Sequence, residues 1–189
     1  IKESFKIHKE LGNKRNSIKD LGIMGGVYLQ IGDTESAMDH LDQAMAIAKE
    51  IKNDMRIYGC YYSKGYIYLY QKDYAQAIDG NMSKWYEWNT KNKKDISLGK
   101  LSRYLVCLKK LGRDVNFSQL EKLMKERPAR KYGYELNYML FQLYDDRSYL
   151  KSSYEKIMDL KSKLDDKTGE KFINYPLESE IVKAYQSIS

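Results

Sequence analysis

The sequence is short of the residues that interrupt helices and of those that build reactive centres. It contains 2 Pro in 189 residues, so long helices are unobstructed. It contains 2 Cys, Cys60 and Cys107, which form no C-x-x-C pair and no disulfide framework. They are read as buried free thiols of a reducing compartment. No apolar run approaches the ~18 residues a spanning helix needs, so no membrane partner is expected and a cytoplasmic setting is. The start, IKESFKIHKE, is already an amphipathic helix rather than a signal peptide. With no initiator Met and a beginning inside a repeat, the chain reads as a piece of a longer protein.

Catalytic signatures are missing too. His8 and His40 are 32 residues apart and share no ligand spacing with either cysteine. Asp39, His40 and Asp42 sit close together on a helix, where neighbouring residues point in different directions. Gly25-Gly26 is not followed by Lys-Ser/Thr, so there is no phosphate loop, and no Gly-x-Ser-x-Gly occurs. Asp145-Asp146 and Asp165-Asp166 read as turn acids. The expectation is no enzyme, no cofactor and no metal.

What is abundant is tyrosine, 18 residues, and positive charge, a formal net +7. The charge is uneven. Residues 84–131 hold 14 Lys/Arg against 5 Asp/Glu, and the remainder holds 19 against 21. A basic region of this kind is either a solvated set of helix faces or a surface for an acidic peptide, phosphate or nucleic acid. Exposed Tyr beside Lys/Arg would suit single-stranded nucleic acid, although no nucleic-acid motif accompanies it.

The organising feature is a repeat of forty residues. Gly25, Tyr28, Asp33 and Ala37 recur as Gly65, Tyr68, Asp73 and Ala77, and Ile7–Leu11 recurs as Ile47–Ile51. Fixed-period similarity marks stacked helical hairpins. Residues 1–12 read as the second helix of a truncated repeat, 13–52 and 53–92 as full repeats, 93–128 and 129–166 as divergent ones, and 167–189 as a capping helix with Pro176 in its first turn. In the first full repeat a helix is expected from about Arg15 to Ile31, ended at Gly32-Asp33, with Thr34 or Asp33 capping the next. Gly25 is explained by close helix packing. In the third repeat Phe117 stands where the small Ala belongs, so that helix pair is expected to open or shift, and Pro128 is expected to end its second helix. Asp165–Gly169 is expected to be a loop.

The spacing of Gly25, Tyr28, Ala37, Leu41 and Ala44 resembles the tetratricopeptide repeat. Gly65, Tyr68 and Ala77 keep the pattern, but Asn81 and Lys84 depart from it, and beyond residue 127 little remains. The usual period is 34; the longer one here is similar to repeats in multi-repeat bacterial sensors and regulators. The resemblance implies an all-α, right-handed superhelix (an α-solenoid) of antiparallel helix pairs, with a concave groove lined by first helices. It implies a protein-binding role. The Lys/Asn clamp with which some members hold a carboxylate is absent, its places being Gly22, Gly26 and Ser63.

By that spacing Gly22 and Gly26 face the groove beside a column of Tyr62, Tyr66 and Tyr70. Arg103, Lys109 and Lys110, with Ser102 and Val106, continue it in the third repeat. Either the tyrosines lean over the glycines and fill the groove, or the recess receives a side chain or helix of a partner. The expected partner is a protein or peptide, acidic segments included. A nucleic-acid binder using residues 84–131, a small-peptide receptor and a spacer that self-associates through the open N-terminal edge are the alternatives.

Overall fold

The turns that follow the first four helices share one local chemistry. The computed structural model describes residues 1–126 and 132–188. The early helices are α1 (Lys2–Glu10), α2 (Lys14–Gln30), α3 (Thr34–Glu50) and α4 (Asp54–Tyr70). Gly12, Gly32, Lys52 and Lys72 follow them with φ of 65°, 85°, 52° and 63°, the left-handed residue of a Schellman turn. In every case the next N–H reaches back to the helix, as in Asp33 N to Tyr28 O at 2.9 Å and Asn53 N to Ala48 O at 2.9 Å. That same next residue caps the following helix. Asn13, Asp33, Asn53 and Asp73 accept from the N–H of Asn16, Ser36, Arg56 and Gln76. Asp33, rather than Thr34, is therefore the cap. The forty-residue period is thus two twenties, each a helix closed by one left-handed residue and one side-chain acceptor.

Then come α5 (Tyr74–Ala77), a π-helical turn at Ile78–Met82, and α6 (Ser83–Lys91). The π turn admits an extra residue. Asn81 Nδ2 donates to the Gln76 carbonyl at 2.8 Å. From here the buried stripe is displaced by one. Ala37, Leu41, Ala44 and Ala48 are answered by Ala77, Met82, Trp85 and Asn89, all buried. The mismatch at Asn81 and Lys84 is therefore a slip of register, and the pattern resumes beside them. Packing at this hairpin is close: a Cβ on Gly65 would lie 2.8 Å from Ala77 O and 2.6 Å from Met82 Cγ. At Gly25 the corresponding distances are 3.2 Å to Ala37 O and 3.3 Å to Leu41 Cγ. Both glycines answer to helix contact, the second more severely.

The chain divides into two compact units, Ile1–Lys94 and Asp95–Ser189, close to the repeat boundary expected at 92. In the first, α2 packs on α1 and α3, and α4 packs on α3 and on the α5–α6 segment. Its core joins Ile18, Leu21, Met24, Ala44, Met45, Ala48 and Cys60, and beside them Leu29, Ala37, Leu41 and Ile67.

The second unit comprises α7 (Leu98–Lys110), α8 (Ser118–Glu126), α9 (Tyr134–Tyr144), α10 (Arg147–Ser162), α11 (Asp166–Ile173) and α12 (Pro176–Gln186). Its helices are joined by polar side chains. Arg103 forks onto Glu135 at 2.9 and 2.5 Å. Lys109 Nζ reaches Leu143 O at 2.9 Å and Asp145 Oδ2 at 2.7 Å. Tyr134 and Tyr138 donate to Glu178 and Glu180 at 2.6 and 2.8 Å. Tyr154 stacks on Tyr185 with centroids 4.2 Å apart.

One expectation is revised here. Asp165–Gly169 is no loop. Asp165 accepts from Thr168 N–H and starts α11, and Gly169 brings that helix against α10, where a Cβ would meet Lys161 Cγ at 3.2 Å. An additional helix, α11, thus precedes the expected last helix, α12. Phe117 precedes α8 and rests on Tyr144, centroids 5.2 Å apart, while the fully buried Leu120 makes the core contact. Pro128 lies outside the described residues. Pro176 occupies the first turn of α12 as expected. No strand occurs among the described residues.

Candidate functional site

α2 and α4 both rest on α3 and touch each other, so one face of the first unit presents side chains of both. Gly22 and Gly26 are exposed on α2, and a Cβ added to either would meet nothing within 4 Å. Tyr66 and Tyr70 are half-buried on α4. Their rings meet edge to face at 6.4 Å, and both pack against the Leu29, Leu41 and Ile67 cluster. Tyr62 is different. It is buried and lies against Trp85, centroids 4.7 Å apart, because the π turn swings Trp85 into the place of an alanine. Tyr62 thus belongs to the core, and the tyrosine column reduces to Tyr66 and Tyr70.

The residues expected to extend this site with positive charge lie in the second unit. Arg103 is bound to Glu135, and Lys109 closes the C-terminal end of α9. Ser102 and Val106 are buried, and the Ser102 hydroxyl donates to Leu98 O at 2.9 Å. Lys110 is exposed. Elsewhere in the basic region Lys84 Nζ lies 4.7 Å above the Tyr61 ring, and burial, then the charge of Arg103, lowers the pKa of Lys100. Several of the fourteen basic residues therefore serve internal contacts, which composition could not reveal.

Sequence reasoning passed over a polar knot in the first unit. His8 Nδ1 lies 2.6 Å from Asp20 Oδ2, and Ser4 Oγ donates to the same carboxylate at 3.2 Å. Asp20 is only 7% exposed. The twelve-residue separation crosses a turn, which hides the pair from helix-face spacing. Ser4 and Asp20 approach the same ring nitrogen, so this is not the nucleophile–base–acid order of a catalytic triad, where the hydroxyl and the carboxylate meet opposite nitrogens. The group ties α1 to α2.

Both thiols are buried and free, and burial raises the pKa of Cys60 and pushes that of Cys107 up to about 12. Neither is a poised nucleophile. Among the described residues no group of three or more His, Cys, Asp or Glu is placed to hold a metal, and no helix is long and apolar enough to cross a membrane. Compared with family models, curated proteins and solved structures, the chain matches none.

Proposed function

We propose that the protein is an interaction module, a stack of helical hairpins of the tetratricopeptide kind. It binds a peptide or helix on the α2–α4 face of its first unit, as the scaffold or sensory part of a larger regulator. Binding rather than catalysis is its task. One observation carries the reading: Gly22 and Gly26 have no role in the packing. Glycine in a helix interior costs about 0.8–1 kcal/mol relative to alanine. Gly25, between them, offsets that cost by close contact with α3; its two neighbours offset it with nothing inside the chain. A bare backbone on α2, next to the helix α4 that carries Tyr66 and Tyr70, admits close approach by a partner, and the rings supply apolar area on a preformed surface.

The test starts from peptides selected against the wild-type protein in a displayed random library. Gly22→Ala and Gly26→Ala are each expected to raise stability by about 0.8 kcal/mol. Gly26→Leu, Gly22→Leu and Tyr66→Ala are expected to weaken capture of the selected peptides at least tenfold, with Lys110→Ala, in the second unit, as a comparison. Peptides that bind all three variants as tightly as wild type would remove the proposal.

A further inference from the structure

A second recess lies wholly within the other unit and is built of different chemistry. A cavity of about 490 Å³ is lined by Glu121, Met124 and Lys125 of α8 and by Tyr144, Asp146 and Tyr149 at the α9–α10 junction. The Tyr144 and Tyr149 rings are 6.4 Å apart, tilted by 35°. Phe117 backs Tyr144, whose hydroxyl is 3.9 Å from the Met124 sulfur. Buried Tyr132 donates to Met124 O at 3.3 Å. Aromatic and thioether groups therefore form the wall.

Among the described residues, the charges that line it are two carboxylates and one ammonium. Asp146 caps α10 through Ser148 N–H at 2.8 Å, and that bond lowers its pKa, keeping the carboxylate ionised. The negative field reaches the rings. The pKa of Tyr144 is raised by burial and then by Glu121, and that of Tyr149 by burial, Tyr132 and Asp146.

We propose that this cavity binds an organic cation, a trimethylammonium head, against the rings of Tyr144 and Tyr149 with Glu121 and Asp146 supplying countercharge. Ring faces attract a cation through the quadrupole, most strongly one that is weakly hydrated. A hard metal ion would instead need about six or more oxygen ligands, which two carboxylates among rings do not provide. Lys125 lines the same cavity and opposes the ligand, so the assignment makes a prediction of unusual sign.

The probe is choline, titrated into the whole chain by calorimetry and by shifts of tyrosine ring resonances, with 3,3-dimethyl-1-butanol as the uncharged isostere and guanidinium as the competing cation. Choline is expected to bind at least tenfold more tightly than the isostere. Glu121→Gln and Tyr149→Leu are expected to weaken it about fivefold, in the range of a single cation–aromatic or carboxylate contact. Lys125→Met is expected to strengthen it about threefold. Glu121 and Lys125 are exposed, so their variants leave the fold intact should Tyr149→Leu disturb it. Equal affinity for choline and the isostere, stronger binding of guanidinium, indifference to Glu121→Gln, or weaker binding in Lys125→Met would each overturn the assignment. None of these outcomes touches the α2–α4 face.

Discussion

The two units show two ways of specifying helices. In the first, α1 to α4 are delimited by one device repeated every twenty residues, a left-handed residue followed by Asn or Asp. In the second, a left-handed residue recurs at Gly112 and at Asp145, before the cap Asp146, but at no fixed interval; helix lengths vary, and individual side-chain pairs join neighbours: Arg103 with Glu135, Lys109 with Asp145, Tyr134 with Glu178. A device acting within one turn can be copied along a chain. A pair that spans thirty or more residues has to be matched case by case, and it leaves no period behind.

The largest expected effect tests packing inside the regular unit. Gly65→Ala drives a Cβ against the Ala77 carbonyl, which cannot move without its helix, and should cost about 3 kcal/mol, at the upper end of overpacking. Gly25→Ala meets softer contacts and gains helix propensity, so its net effect should stay within about 1 kcal/mol. Urea midpoints at constant slope measure both. Equal losses would mean that the π turn does not tighten the second hairpin.

The irregular unit should be most sensitive at its buried carboxylate. Glu178 is 2% exposed and accepts from Tyr134. Tyr134→Phe removes that donor and should cost about 2 kcal/mol, the range for an unsatisfied buried polar group. Thermal unfolding that leaves the variant as stable as wild type would show the pair to be dispensable.

A smaller effect separates the caps by pH. The Ser36 N–H, then its hydroxyl, holds the Asp33 carboxyl below its usual range. The folded value lies under the unfolded 3.8, so this contribution is complete above that value and disappears as pH falls through the folded one. Asn13 and Asn53 cap without titrating. Asp33→Asn should therefore keep stability at pH 6 and lose less than wild type between pH 5 and 3, as read from melting temperatures. An identical acid profile would deny Asp33 the role.

The smallest effect concerns the left-handed positions. Lys52, at φ 52°, occupies the place that Gly12 and Gly32 fill without strain. Lys52→Gly should stabilise by about 0.5 kcal/mol, the relief of an L-residue in that region less the entropy of glycine. A destabilised variant would break the equivalence of the four turns.

The legibility of the chain follows the same division. Helix ends at Gly32-Asp33 and Lys72-Asp73, the close contact at Gly25 and the place of Pro176 were all readable, because each depends on residues within a turn or on the period. Asp165–Gly169 misled because a cap followed by a glycine also looks like a loop. What distinguishes them is whether another helix presses on the glycine. Arg103 and Lys109 looked like surface charge because their acidic partners stand 32 and 36 residues away.

The sequence by itself determined that the described chain is helical, where most of its helices stop, and that the first ninety residues repeat a hairpin. These are matters of backbone hydrogen bonding and apolar spacing, which act locally. Tertiary structure alone decided that the second hairpin slips by one residue, that Tyr62 turns inward onto Trp85, and that Glu121, Tyr144, Asp146 and Tyr149 share a cavity. Those outcomes depend on which helix lies alongside and how closely, and steric contact between distant segments is written in no local window of the chain.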